Sequence, residues 1–137
     1  MSVTFLGPLS AGGVRLPLIS LSTVGSQSPV VERHVSLAEL CEVREPHFFI
    51  ATIEDDSMKG EHISKNDMLI VDRGRYAEHG DIVVASLNES QICRRLHMRG
   101  NVVILEPSHE GYPLLHVTDN DDLIILGVVT QSLTQVR

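Results

Sequence analysis

Short apolar runs separated by turn residues dominate the chain from residue 47 onward. The runs are rich in Val, Ile and Leu, and their length is typical of strands rather than helices. Gly, Asn, Asp and Pro mark the breaks between them. Strands this short, with connections this close, predict a mostly antiparallel sheet that folds over on itself. The predicted strands are His47–Ile53, Met68–Asp72, Asp81–Leu87, Gln91–His97, Asn101–Leu105, Tyr112–Val117 and Leu123–Thr130.

A short helix is predicted just before this sheet, over residues 37–41. The hydroxyl of Ser36 can cap its N-terminus, and Glu39 follows three residues later, which completes a capping box. Pro46 requires that the helix has ended before it.

Residues 1–35 follow neither pattern. They contain three of the six prolines and four of the ten glycines, with short apolar pieces between them. This punctuation interrupts helices and long strands. We predict an extended N-terminal arm over 1–35, which packs on another surface rather than folding by itself, followed by a mainly β domain over 36–137.

Charge and composition limit the kinds of partner that the chain is expected to bind. A hydrophobic fraction of 42% is enough for a core, and the formal net charge is −7. Proteins that hold duplex DNA usually carry a basic stripe. The nearest equivalent is Arg94, Arg95 and Arg99, which we interpret as solvated surface charge. Direct binding to duplex DNA is therefore not expected, and the expected partners are proteins.

Cysteine, histidine and hydropathy patterns predict no metal, no cofactor and no membrane span. Cys41 and Cys93 lie far apart without a CxxC pattern, so neither a disulfide framework nor a zinc site is indicated. The seven histidines lack ligand spacing. No apolar stretch approaches the length of a membrane helix, and no secretion signal opens the chain, so we expect a cytoplasmic location.

Four sequence blocks carry a more specific signal. In order and with matching gaps, they resemble the (G)DSM, IxxGDxLIVD, GDIVxA and GVV blocks of the LexA-like self-cleaving serine peptidases, and within that family the chain looks like the UmuD type. The resemblance runs from about Pro17 to the C-terminus. The blocks are Asp55–Met58, Ile63–Asp72, His79–Ala85 and Leu126–Thr130.

The resemblance implies that Ser57 is the nucleophile and that a buried, neutral lysine on a later strand is its base. The aligned base position is Arg94. Bringing a lysine to a pKa near 7 takes a shift of about 3 units, or about 4–5 kcal/mol, which burial can supply. An arginine would need about 6 units or more, and proteins do not deprotonate it. Lys59 and Lys65, the only lysines, lie too close to Ser57 along the chain to match the family base. Weak or absent activity is therefore expected.

The implied scissile bond also departs from the family pattern. The family cuts between a small residue and Gly, whereas the aligned bond here is Val24-Gly25, and valine is β-branched and stiff. Two interpretations stay open. Ser57 attacks Val24-Gly25 of its own chain or of its partner and leaves residues 25–137, or it is a relic in a turn while Arg94 pairs with an acidic residue.

By resemblance, the function is that of a UmuD-type protein of SOS mutagenesis. The 24 residues before Gly25 leave no room for a helix-turn-helix domain, so we do not expect a complete repressor. The implied partners are a second copy in a homodimer, a RecA filament that stimulates self-cleavage, and a Y-family polymerase for translesion synthesis. The alternative is a non-cleaving interaction module that modulates dimer or polymerase assembly. A prophage or plasmid anti-repressor of this fold, and a heterodimer with a lysine-bearing relative that cuts in trans, also stay open.

Overall fold

The structure, a computed structural model, describes residues 3–8, 14–19, 31–43 and 47–136. These residues fall into two compact units, one of Leu9–Pro46 and one of Met1–Pro8 with His47–Arg137. The division of the chain after residue 35 remains a prediction.

The described residues form ten strands and one short α-helix. All strand pairs are antiparallel. The strands are β1 (Val3–Pro8), β2 (Arg15–Ile19), β3 (Val31–Ser36), β4 (Phe48–Ile53), β5 (Met68–Asp72), β6 (Ile82–Leu87), β7 (Ser90–Arg99), β8 (Val102–Glu106), β9 (Leu115–Val117) and β10 (Leu123–Leu133), and the helix is α1 (Leu37–Leu40). Strands β2 and β3 pair in the smaller unit, and the larger unit holds one sheet in the order β1-β4-β5-β10-β6-β7-β8-β9.

The larger unit confirms the predicted fold class, a mainly β, folded-over antiparallel domain. The sheet order places four strands between β1 and β7, yet these two strands contact each other. The sheet therefore curls until its first strand meets its sixth. One core cluster fills this fold and draws residues from both halves of the sheet, namely Val3, Phe49, Ala51, Ile53, Met58, Ile63, Leu69, Val71, Val84 and Cys93.

All seven predicted strands are present, with shifts at their ends. The largest shifts, each of three residues, are at the end of the seventh, which reaches Leu133 rather than Thr130, and at the start of the sixth, which begins at Leu115 rather than Tyr112. Pro113 precedes it and has no N–H to donate to a neighbouring strand. The sequence pattern did not predict the N-terminal strands β1, β2 and β3. In β1, Gly7 and Pro8 interrupt the apolar pattern. Strand β1 lies at the edge of its sheet, where proline is tolerated.

The helix cap and the turns around β5 are formed by side chains that the sequence places next to them. The Ser36 hydroxyl accepts a 3.1 Å hydrogen bond from the Glu39 backbone N–H, which confirms the predicted helix cap. In the larger unit, Asp67 accepts from the Ser64 N–H at 2.9 Å, and Asp72 accepts from the N–H two residues later at 2.8 Å. These carboxylates fix the turns before and after β5. The turn before β5 is also joined to Asp56, which precedes Ser57.

Candidate functional site

Ser57 lies in a tight turn that follows β4. The Asp55 carboxylate accepts a 3.1 Å hydrogen bond from the Ser57 backbone N–H, which is the Asx-turn arrangement. The next carboxylate, Asp56, accepts from the Lys65 N–H at 3.1 Å and so joins this turn to the one before β5. Ser57 and Met58 are both fully buried. The turn that carries the serine is therefore held in the interior by hydrogen bonds to both carboxylates that precede it.

Arg94 lies in the middle of β7 and reaches this serine. Its Nη1 donates to Ser57 Oγ at 2.9 Å and to the Cys93 carbonyl at 2.8 Å. The residue is only 5% exposed, so the interpretation of Arg94 as surface charge was wrong. The folding of the sheet places a central strand position inside the core, which a one-dimensional run of arginines does not reveal.

The contact between Arg94 and Ser57 has the wrong polarity for base catalysis. A general base accepts the hydroxyl proton, whereas the guanidinium has donors only. Burial lowers the pKa of Arg94 and the charge of Asp55 opposes that shift, but an arginine in a protein stays protonated. Within the described residues, the bond from Arg94 is the only hydrogen bond of Ser57 Oγ. The site presents a serine beside a permanent cation.

Neither lysine of the chain replaces the missing base. Lys59 and Lys65 are both exposed, whereas Ser57 is fully buried. In the described part of the chain, the donor to the serine hydroxyl is Arg94 and not a lysine.

The proposed pairing of Arg94 with an acidic residue is not formed as a direct contact. Among the described residues, no carboxylate forms an ion pair with Arg94, and its Nε is buried without a hydrogen-bond partner. The Tyr112 ring lies 5.9 Å from its Cζ, which supplies a cation–π contact. The cation is buried and only partly satisfied.

A loop after β8, residues 107–112, covers the serine turn, residues 55–58. The sequence did not predict this contact. The Ser108 N–H donates to the Ser57 carbonyl at 2.7 Å, and the Gly60 N–H donates to the Ser108 carbonyl at 2.7 Å. The Tyr112 hydroxyl accepts from the Asp56 N–H at 3.2 Å. A Cβ at Gly60 would lie 2.3 Å from Ser108 Oγ, so the loop approaches the turn as closely as a glycine permits. Pro107 and Gly111 indicated a turn here but not its contacts.

Cys93, next to Arg94 on β7, is expected to make the free energy of unfolding depend on pH in the alkaline range. Burial raises the pKa of its thiol from 9.0 to about 12, while Arg94 opposes the shift. Because the folded-state pKa is the higher one, the stabilisation is complete below pH 9 and is lost as the pH rises towards 12. The loss in the free energy of unfolding should reach about 1 kcal/mol by pH 10. Urea unfolding of wild type and Cys93→Ala at several pH values measures it, and parallel curves for the two proteins would contradict it.

Three other expectations concern the scissile bond, a metal site and a membrane span. Val24 and Gly25 lie outside the described residues. Over the described ranges, no cluster of three or more His, Cys, Asp or Glu side chains is arranged to hold a metal ion. The same ranges contain no helix with the length and apolar character needed to cross a membrane.

The fold and the site define a mainly β domain with a buried serine turn. A sequence model of the family described as Peptidase S24-like matches residues 17–130. The chain belongs to this family, which is the LexA/UmuD family.

Individual relatives match most of the chain. A LexA repressor from Syntrophotalea carbinolica is 31% identical over 133 residues, which cover 93% of this chain and 64% of the repressor. This chain therefore spans less than two thirds of that relative. Protein MucA from Salmonella typhimurium is 33% identical, over 76% of this chain and 71% of its own length. Protein ImpA from Salmonella typhimurium is 28% identical over 100% of this chain and 98% of its own length.

Proposed function

We propose that this chain is a UmuD-type protein of SOS mutagenesis that acts as a dimer without cutting itself. The observation that carries the non-cleaving part is the 2.9 Å hydrogen bond from Arg94 to Ser57 Oγ. In this proposal Ser57 occupies the nucleophile position, Arg94 the general-base position, and Val24-Gly25 the scissile position. A serine whose oxygen accepts from a permanent cation has no group to take its proton.

The proposed partner is a Y-family DNA polymerase in the cytoplasm, with a RecA filament as an upstream partner. The family match and the full-length alignment with Protein ImpA support the UmuD type. The net charge of −7 supports protein partners over duplex DNA. Burial of Arg94 weakens the only basic run further, since it leaves Arg95 and Arg99 as the accessible members. A family relative that carries the lysine is a further candidate partner, in a heterodimer.

Self-cleavage is the second candidate function, and one observation favours it. The side chains at positions 57 and 94 lie within hydrogen-bonding distance, which is the separation that a nucleophile and its base require. This separation supports a dyad-like arrangement of the two positions, and in this candidate the residue type at position 94 decides whether the chain cuts itself.

Binding of the uncut chain to a polymerase tests the proposal. We expect the full-length chain to elute with a Y-family polymerase as a dimeric complex in size-exclusion chromatography. The variant Ser57→Ala should form the same complex, because binding does not depend on the serine. A complex that contains only a fragment beginning at Gly25, or no complex at all, would overturn the proposal.

A further inference from the structure

Asp55 aligns with the bracketed glycine of the (G)DSM block that this sequence resembles, and its carboxylate accepts a hydrogen bond from the Ser57 N–H. We propose that Asp55 is a second block to self-cleavage, in addition to Arg94. It acts through the Ser57 backbone N–H and by favouring a positive charge at position 94. This inference rests on the proposed function, because it assumes that Ser57 occupies the nucleophile position. Asp55 is here a positioning residue rather than a catalytic one.

The first effect concerns the negative charge that develops during attack. When a serine oxygen adds to a peptide carbonyl, the carbonyl oxygen becomes an oxyanion, and backbone N–H groups, including that of the nucleophile, stabilise it. In this chain the Ser57 N–H already donates to Asp55 Oδ1 at 3.1 Å. The donor is therefore engaged, and the engaging group is an anion that repels an oxyanion. Loss of one such donor typically lowers the rate about 10²- to 10³-fold.

The second effect concerns the residue that faces the hydroxyl. Asp55 and Arg94 approach the same serine from two sides, one at the backbone N–H and the other at Oγ. The charge of Asp55 raises the pKa of Arg94 and so opposes the effect of burial. A lysine at position 94 would experience the same carboxylate, which favours its protonated form. Asp55 therefore disfavours the neutral form that a base at position 94 needs, even when the residue there is lysine.

Two substitutions separate these effects. Asp55→Asn removes the charge but keeps an oxygen that can accept from the Ser57 N–H. Asp55→Gly removes the charge and the acceptor together and restores the family residue. The backbone at Asp55 does not have a positive φ, so neither substitution meets a conformational requirement that only one residue type satisfies.

The experiment follows self-cleavage by intact mass from neutral to alkaline pH. The proteins are wild type and three variants: Arg94→Lys alone, Arg94→Lys with Asp55→Asn, and Arg94→Lys with Asp55→Gly. Each is paired with a Ser57→Ala control, and thermal unfolding confirms that each is folded. We expect Arg94→Lys alone to cut slowly and only at alkaline pH. Adding Asp55→Asn should move the midpoint of the pH profile about one unit lower, and Asp55→Gly should also raise the plateau rate about 10²-fold.

The outcomes separate this inference from the proposed function. If Arg94→Lys alone cuts with the same midpoint and plateau as the double variants, Asp55 is no block, while the proposed function stands. If no variant cuts, the inference also falls, because removing both groups should release the reaction. Cleavage of the wild-type chain that depends on Ser57 would instead overturn the proposed function.

Discussion

Replacing Met58 with alanine is expected to lower the free energy of unfolding by about 2–5 kcal/mol. Met58 is fully buried beside Ser57 and belongs to the core cluster that also contains Ile53 and Ile63. Truncation leaves a cavity beneath the serine turn, where the covering loop and the turn hydrogen bonds limit collapse. Urea unfolding at neutral pH measures the loss.

The matched control for this core position is Met58→Leu. Leucine conserves most of the volume and should cost less than about 1.5 kcal/mol. This pair of variants tests whether the methionine of the motif acts through packing. An alanine variant as stable as the leucine variant would show that the turn does not depend on this contact.

Replacing Arg94 with methionine is expected to raise the free energy of unfolding by about 1–4 kcal/mol. The guanidinium is buried without an ion pair to any described carboxylate, and its Nε has no hydrogen-bond partner. Burying a charge that is only partly satisfied costs more than burying an apolar chain of similar length. Urea unfolding of the two proteins in parallel measures the gain.

The neighbouring arginine is the control for that substitution. Arg95 is partly exposed and pairs with Glu61 at 2.9 Å, so Arg95→Met should change the free energy of unfolding by about 1 kcal/mol or less. A loss of stability in Arg94→Met larger than that in Arg95→Met would mean that the buried cation is a structural contact that the fold requires.

Local patterns predicted the sheet well because its strands are short and separated by strong turn signals. Residues such as Val83, Val84 and Ala85 are buried in a continuous run, and β-branched composition alone identifies them as a strand. Strand β1 was not predicted, for the converse reason. Gly7 and Pro8 interrupt the apolar pattern, and only pairing with β4, distant in sequence, makes that segment a strand.

The candidate site was predicted in part. The resemblance supplied positions 57 and 94, and the structure brings their side chains together across 37 positions of sequence. Burial of Arg94 and the cover formed by Ser108 and Tyr112 could not be predicted. They arise from contacts between the serine turn and a loop about 50 residues later, and no local periodicity encodes such contacts. The hydrogen bond from the Ser57 N–H to Asp55 also required the structure.

The proposal that the chain does not cut itself is tested most directly by a long incubation of the full chain at pH about 10. A family lysine would lose its proton at this pH. The product is measured by intact mass, with Ser57→Ala incubated in parallel. Because Arg94 stays protonated at this pH, we predict that the chain remains whole at 15.1 kDa. A fragment beginning at Gly25 that is absent from the Ser57→Ala sample would contradict the account, since another group would then serve as the base.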